Sequence, residues 1–463
     1  MYKSFFYVCF LLPILLAITG CNDSNDDNVH AESSVTIGLI FPLSAPKGKP
    51  RHHAALLAAK HLAEAGYPIR TVVEDSKLDK FLGVEAARKL VENGGAKVLI
   101  GASDSGITME IADWVSIPKR IPQISYASTS QAITGLKDEG FLFRTAPSDK
   151  LQGAVLAYLA KEEKGYDKVA IIYRQGSYGE NLSSIFQEEF EKRCDENGCG
   201  TVTSIQSHVA EPPKDFDPTE NFNYIKNILD NIFDDGIPQA IVAISRDEES
   251  NLYIKQALAR EEFKEVKFIF VDANKGTDIF DKGVSKTALN DMCGTLPSPP
   301  DYTTSQNDPR LIFEKEYEAK FGPIGSLTYL HHSYDAVIVA GLAAYSATKK
   351  KNGAAITPID IRNQLEEIAS TTETESPTEA KIGTGPDNIR KALELLDKGE
   401  SINYEGASGN VDFDENGDVI APFEIWCYNN GETLTDKICE VTDIETTPKL
   451  VVCKEPTPKP SQQ

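Results

Sequence analysis

At 463 residues, with 70 acidic against 47 basic side chains and a formal charge of −23, the chain is too long for one small module. It is also too acidic to grip a phosphate backbone, which needs a basic footprint. Nucleic acid is excluded as a partner, and at roughly 100 to 200 residues per domain two or three well-formed cores are expected.

The N-terminus carries an apolar run, Phe5 to Ile18, with Lys3 as its charged flank. It falls short of the roughly 20 residues that span a bilayer and reads as a signal-peptide core. It ends at Ile18-Thr19-Gly20-Cys21, which resembles a bacterial lipoprotein cleavage box. On that resemblance residues 1–20 are removed and Cys21 becomes an acylated first residue, a lasting lipid anchor. An ordinary secretory signal cut elsewhere would leave Cys21 a spare thiol. Residues 21–33, rich in Asn, Asp and Ser, cannot bury apolar area and are expected to form a flexible spacer. The longest later apolar stretch, Ala336 to Ala347, runs into Lys349-Lys350-Lys351 and fits a buried helix. The expected location is extracytoplasmic, on the periplasmic side, tethered at one end.

Folding is expected to start at residue 34. Val35–Phe41 reads as a strand, Arg51–Ala65 as a helix closed by Gly66, Ile69–Glu74 as a strand and Val84–Glu92 as a helix closed by Gly94-Gly95. Lys97–Gly101 is a strand. Ile107, Ile111, Trp114 and Val115 then recur on one helical face before the strand Pro122–Ser125. A second series begins near Ser148, with strands Lys168–Tyr173, Thr201–Gln206, Gln239–Ile244 and Lys267–Val271. Its helices are Gly179–Arg193, Phe222–Phe233 and Glu248–Arg260. Strands alternating with helices predict an α/β fold of parallel sheets covered on both faces. Helices Leu311–Phe321, Ser333–Thr348 and Pro358–Ala369 follow, and the tail turns to hairpins. Glu211–Asn221 and Thr371–Gly385 read as inserted loops, and 456–463 as a disordered tail.

Beyond Cys9 and Cys21 stand six cysteines, Cys194, Cys199, Cys293, Cys427, Cys439 and Cys453. In an oxidising compartment they imply three disulfides. Cys194 to Cys199 closes a tight turn and Cys427 to Cys439 brackets a hairpin-like stretch with Asn430-Gly431, which leaves Cys293 to Cys453. No C-x₂-C pair supports zinc.

Two places suit an anion at a helix start: Ala102-Ser103-Asp104-Ser105-Gly106 after one strand, and Tyr126-Ala127-Ser128-Thr129-Ser130 after another. The same residues serve equally as helix N-caps. Phe143-Arg144-Thr145-Ala146-Pro147-Ser148-Asp149, Gln152-Gly153, Val169 to Tyr173 and Ser177-Tyr178-Gly179 resemble the type I periplasmic binding proteins that serve branched-chain amino acid uptake by ABC transporters. Pro122-Gln123-Ile124-Ser125 with Thr129-Ser130, and Tyr404 to Asp414, are similar to further family segments.

That resemblance implies two doubly wound parallel-sheet lobes joined by a three-strand hinge. Lobe 1 would be 34–147 plus 295–420 and lobe 2 would be 148–294 plus 421–455, with crossings near Pro147, Gly294 and Ile420. It implies a cleft in which Ser103, Ser105, Ala127, Ser128 and Thr129 hold an α-carboxylate, Tyr178 packs on the ligand and Asp272 takes the α-amino group. The chain departs from the family in two respects. Asn181 replaces a usual glycine, and Asp104 stands where it would repel a carboxylate if it faced the cleft. Ser245-Arg246-Asp247 also brings both charge signs to the cleft, so a polar ligand is expected.

Asp412 to Asp418 begins like a calcium loop, but its twelfth position is Phe423, so it reads as a turn. Adjacent histidines, His52-His53 and His331-His332, point apart and make no two-ligand face. No Gly-x-Ser-x-Gly elbow is present. The expectation is a monomeric solute-binding lipoprotein, without cofactor, metal or enzyme activity, that closes on an amino acid or similar small polar solute and delivers it to an ABC permease. The alternative is a ligand-sensing module of the same fold that signals through a partner protein.

Overall fold

The structure, a computed structural model, describes residues 35–209, 218–234, 236–301, 305, 307–352, 354–368 and 380–459. The expected signal peptide, Cys21 and the spacer lie outside the described residues, as do 211–217 and 371–379 of the expected loops and 460–463 of the tail.

The first series is β1 (Thr36–Phe41), α1 (Gly48–Glu64), β2 (Arg70–Asp75), α2 (Lys80–Glu92), β3 (Val98–Ile100), α3 (Ser105–Ile111) and α4 (Ile117–Lys119). It continues with β4 (Gln123–Ser125), α5 (Gln131–Thr134) and β5 (Leu142–Arg144). The second opens with α6 (Asp149–Tyr158), β6 (Lys168–Arg174), α7 (Ser177–Lys192), the small ribbon β7 (Cys194–Asp195) and β8 (Gly198–Cys199), and β9 (Thr201–His208). It runs on through α8 (Pro218–Asp230), β10 (Ala240–Ile244), α9 (Asp247–Leu258), β11 (Lys267–Ile269), α10 (Asp278–Asp281) and β12 (Cys293–Pro297). Then come α11 (Pro309–Phe321), α12 (Leu330–Lys350), α13 (Pro358–Ile368), β13 (Ala380–Ile382), α14 (Pro386–Asp397), β14 (Ile402–Gly406) and β15 (Gly409–Asn410). The chain ends in β16 (Phe423–Asn429), β17 (Glu432–Asp443) and β18 (Leu450–Lys454).

Two parallel sheets organise these elements, in the orders β2-β1-β3-β4-β5 and β11-β10-β6-β9. Every residue of β1 and β10 is buried, as strands covered by helices on both faces must be. One core combines β1, β3 and α1 with residues far along the chain such as Tyr334, Val337, Ile389 and Tyr404. Two further cores flank the second sheet and recruit Phe423, Ile425 and Trp426 from β16. The chain therefore passes between the two bodies three times: between β5 and α6, after β12 and before β16. We call these bodies the first and second lobes.

Two glycines let helix starts press against strand ends. A Cβ on Gly48 would lie 1.8 Å from the Pro42 carbonyl oxygen after β1, and one on Gly179 would lie 1.9 Å from that of Arg174 at the end of β6. Only glycine permits approaches this close, and they bring α1 and α7 up to the carboxyl edges of their sheets.

The stretch Tyr404 to Asn410 is a scaffold around a buried acid. Asp335, on α12, accepts hydrogen bonds from Tyr404 Oη at 2.8 Å, Ala407 N at 2.9 Å and Ser408 N at 2.7 Å.

Several expectations change. Cys194 pairs with Cys199, but the other bridges are Cys293–Cys427 and Cys439–Cys453, not Cys427–Cys439 and Cys293–Cys453. The reason is register. The turn at Asn430-Gly431 sets Cys427 opposite Leu434 and Cys439 opposite Phe423, while β12 sets Cys293 against Cys427 and β18 sets Cys453 against Cys439. The expected loop 211–221 gives way to helix α8 from Pro218, since proline is well suited to a first helical turn. The expected loop 371–385 contains β13, parallel to β14. The tail does not trail off at 456: Thr457 N donates to Asp301 at 2.8 Å and Lys459 Nζ meets Glu314 at 2.8 Å.

Candidate ligand-binding site

Ligands of open parallel sheets collect at the carboxyl edge where strand order reverses. That reversal lies between β1 and β3 in the first sheet and between β6 and β10 in the second. The loops after these strands line one shared cavity of about 100 Å³. The first lobe contributes Lys47, Arg51, Ser103, Asp104, Ser105, Ala127 and Tyr329, and the second Arg174, Tyr178, Arg246, Asp247 and Asp272.

Five of the seven residues expected in a cleft thus meet: Ser103, Ser105, Ala127, Tyr178 and Asp272. Ser105 opens α3, and its Oγ accepts from Ser130 N at 3.2 Å. Ser128 and Thr129 do not line the cavity. The Ser128 hydroxyl is fully buried and is 2.8 Å from Thr108 Oγ1 and 3.3 Å from the Ala102 carbonyl. Thr129 is buried too, and its carbonyl accepts from Asp149 N at 2.7 Å.

The loop Ala127–Ser130 is held from behind. Arg144 donates to the carbonyls of Ser128 at 3.4 Å and Ser130 at 2.9 Å, and its guanidinium grips Asp418 through two bonds of 2.5 and 2.6 Å. Asp418 sits in the calcium-like turn, where Asp414 Oδ1 accepts from the N–H groups of Asn416 and Asp418 at 2.8 and 2.9 Å. That stretch is therefore a clamp for the loop. Among the described residues no group of three or more His, Cys, Asp or Glu is arranged to hold a metal ion.

Asp272 is 3% exposed. Its oxygens accept from Tyr178 Oη at 2.8 Å, Gln152 Nε2 at 2.9 Å and Tyr329 Oη at 2.7 Å. Burial, reinforced by the Asp272 charge, pushes both tyrosine hydroxyls well above the usual phenol value, which keeps them donors. All three donors are neutral, so a carboxylate is solvated at the cavity wall with no cation at ion-pair distance among the described residues.

Asp104 does face the cavity, but it cannot repel an anion as an isolated charge would. Arg246 Nη2 lies 2.6 Å and Arg174 Nη1 3.4 Å from its Oδ2, while its Oδ1 caps α3 at Ile107 N, 3.2 Å away. Burial pushes its carboxyl up, yet the two guanidiniums and the Ile107 N–H outweigh this and hold it below the usual carboxylate range. Arg174 also meets Glu249 at 2.9 Å, and Lys47 bonds Asp247 at 2.6 Å and the Lys275 carbonyl at 3.0 Å. Ser130 Oγ donates to the Ser177 carbonyl at 3.0 Å. Apart from Arg174–Glu249, which lies within the second lobe, these contacts cross from one lobe to the other and hold the cavity shut.

Arg51, Arg174, Gln152, Tyr329 and Asp418 carry much of this arrangement and were not singled out from the sequence. Their signal is weak there. Gln152 sits in a segment read for its family resemblance, Arg174 falls just past the expected strand Lys168–Tyr173, and Tyr329 adopts a left-handed backbone at φ 64° that no motif announces.

Two lobes closing charged and hydroxyl-bearing sheet edges over one small cavity define a ligand-binding protein. A family model described as "Receptor family ligand binding region" matches residues 50–431, and the chain belongs to this family, the type I periplasmic binding proteins. It is similar to the chemotactic signal transduction system substrate-binding protein BasB of Halobacterium salinarum, 24% identical over 404 residues, 82% of this chain and 84% of that protein. It is also similar to Leu/Ile/Val-binding protein homolog 3 of Brucella melitensis, 28% identical over 195 residues; the match covers 40% of this chain and only 50% of that relative's length. Among solved structures, a leucine-binding protein of Thermotoga maritima superposes with a TM-score of 0.64 at 19% identity, covering 87% of this chain and 98% of its own. At that identity the likeness speaks for the fold alone.

Proposed function

We propose that the protein is an extracytoplasmic solute-binding protein of an ABC transporter. On this reading it is tethered through a lipid on Cys21, closes on an α-amino acid or similar small polar solute, and hands it to a membrane permease. The observation that carries the reading is the meeting of Ser105 and Ala127 from the first lobe with Tyr178 and Asp272 from the second on one cavity. An ammonium opposite Asp272 would add a charge-assisted bond to its three neutral ones, and hydroxyl and backbone N–H groups at the start of α3 suit a carboxylate. The lobe division 34–147 with 295–420 against 148–294 with 421–455 supplies the hinge. A solute touching both halves stabilises the shut state by its differential affinity. Three disulfides fit an oxidising compartment.

A thermal-shift screen of amino acids, their amides and short carboxylates tests this. A solute at a hundred times its Kd adds about 2.7 kcal/mol to stability. A shift with an α-amino acid supports the reading, and none with any α-amino acid ends the amino-acid version. A sensing role through a partner protein is the second reading, favoured by the similarity along most of both chains to a chemotactic substrate-binding protein. Pull-down of permease components against a membrane receptor separates the two.

A further inference from the structure

Among the described residues the charges in the cavity wall are matched with three exceptions, one of which, Glu248, is exposed to solvent. Lys47 meets Asp247, Arg174 meets Glu249 and Asp104, and Arg246 meets Asp104. The buried pair left over is Asp272 and Arg51, neither of which has an opposite charge at ion-pair distance among the described residues.

Arg51, on α1, is 9% exposed. Its Nε donates to the Thr328 carbonyl at 3.0 Å and its Nη2 to Thr328 Oγ1 at 2.9 Å, while its guanidinium carbon sits 5.3 Å from the centre of the Tyr329 ring. Two neutral acceptors on one residue fix the plane of the fork. A guanidinium carries five N–H donors, and Nη1 makes no hydrogen bond among the described residues, so donors remain on a group that lines the cavity. A buried charge without a counter-charge is costly, and the planar fork matches a carboxylate through two parallel bonds. Burying a branched aliphatic side chain beside it would leave those donors dry.

We propose that Arg51 receives a second anionic group, carried on the ligand's side chain, so that the preferred solute is an acidic amino acid with an ammonium and two carboxylates. The inference rests on the reading given above, in which the α-carboxylate goes to the Ser105 and Ala127 side and the ammonium to Asp272. Arg51 then sets specificity, favouring a terminal carboxylate over the amide of the same shape, which brings no charge to the guanidinium.

Calorimetric titration of the purified protein with L-glutamate, L-aspartate, L-glutamine, L-asparagine and L-leucine tests it, in the wild type and in Arg51→Met and Arg51→Lys. The expected result is that one acidic amino acid binds at least tenfold tighter than its amide. Arg51→Met should abolish that preference while changing amide affinity less than threefold, and Arg51→Lys should keep part of it. Tighter binding of leucine or an amide by the wild type overturns the inference and leaves the amino-acid reading standing. Equal weakening of all ligands in Arg51→Met also overturns it, since Arg51 would then hold the α-carboxylate. Failure of every α-amino acid to bind the wild type overturns both. Should Arg51→Met not fold, as far-UV circular dichroism would reveal, the wild-type ranking and Arg51→Lys decide the question.

Discussion

Asp104 from the first lobe and Arg246 from the second meet at 2.6 Å across the cavity, and the same carboxylate caps the helix that opens the candidate anion site. One side chain therefore couples closure of the lobes to the local order of the site. Asp104→Asn keeps an oxygen for the cap and removes the charge. A double-mutant cycle with Arg246→Ala, read as affinity for the solute found by thermal shift, is expected to give a coupling of about 1.5 to 3 kcal/mol, the scale of close charge pairs across interfaces. The single Asp104→Asn variant should also raise the radius of gyration of the free protein in X-ray scattering. Additive effects and an unchanged radius would show that the pair does not hold the lobes together.

Ser105, Ser128 and Asp272 were grouped from the sequence as contacts of one ligand, and the geometry separates them. The Ser128 hydroxyl is buried outside the cavity against Thr108 and the Ala102 carbonyl, so Ser128→Ala is expected to lower stability by about 1 kcal/mol and leave solute affinity intact. Asp272→Asn removes the charge facing the cavity and is expected to weaken solute binding by roughly 1.5 to 3 kcal/mol, the scale of a hydrogen bond to a charged group. Chemical denaturation and calorimetry on the same samples distinguish the two. A loss of affinity in Ser128→Ala matching that in Asp272→Asn would return Ser128 to the ligand.

The parallel sheets were legible because strands buried on both faces need mostly apolar runs, and those at 36–41, 168–173 and 240–244 supply them. Ser105 and Asp272, taken from the family resemblance, both line the cavity because each stands in the loop that follows a parallel strand at its carboxyl end. Less legible were groups whose role depends on a partner from the other lobe. Asp104 reads as a repulsive charge until Arg174 and Arg246 arrive from 70 and 142 residues away, and Asp418 reads as part of a plain turn until Arg144 grips it. Cys194–Cys199 was legible as a tight turn, and the other two bridges were missed for a more local reason. Counting outward from the turn at Asn430-Gly431 sets Cys427 against Leu434, so simple hairpin arithmetic excludes a bridge to Cys439.

The corrected pairing carries a stability prediction. Cys293–Cys427 joins residues 134 apart and fastens β12 to β16, whereas Cys194–Cys199 joins residues 5 apart in a local ribbon. Chain-entropy scaling gives about 5 kcal/mol for the long loop against about 2 for the short one. Replacing both members of each pair by alanine is therefore expected to lower the melting temperature much more for Cys293 and Cys427 than for Cys194 and Cys199. Similar losses for the two pairs would mean that the unfolded chain is not what the long bridge constrains.

Asp149 supplies a pH dependence whose sign can be worked out. It lies fully buried at the start of α6, and among the described residues no ion pair or well-formed hydrogen bond reaches its carboxyl, the Thr129 hydroxyl being the polar neighbour that favours its charged form. Burial, and next the charge of nearby Asp272, push its carboxyl well above the usual carboxylate range, against the pull of the Thr129 hydroxyl and of Arg144. The folded protein thus holds this proton at pH values where the unfolded chain has released it. Asp149 imposes no ionisation penalty below about pH 4, and stability falls as pH rises from there through the raised folded value. Asp149→Asn, similar in shape and neutral throughout, is expected to be more stable than wild type at pH 7, with the advantage shrinking to nothing near pH 4. Denaturant unfolding at several pH values measures this directly. A stability difference that does not change with pH would show that Asp149 is not the group being titrated.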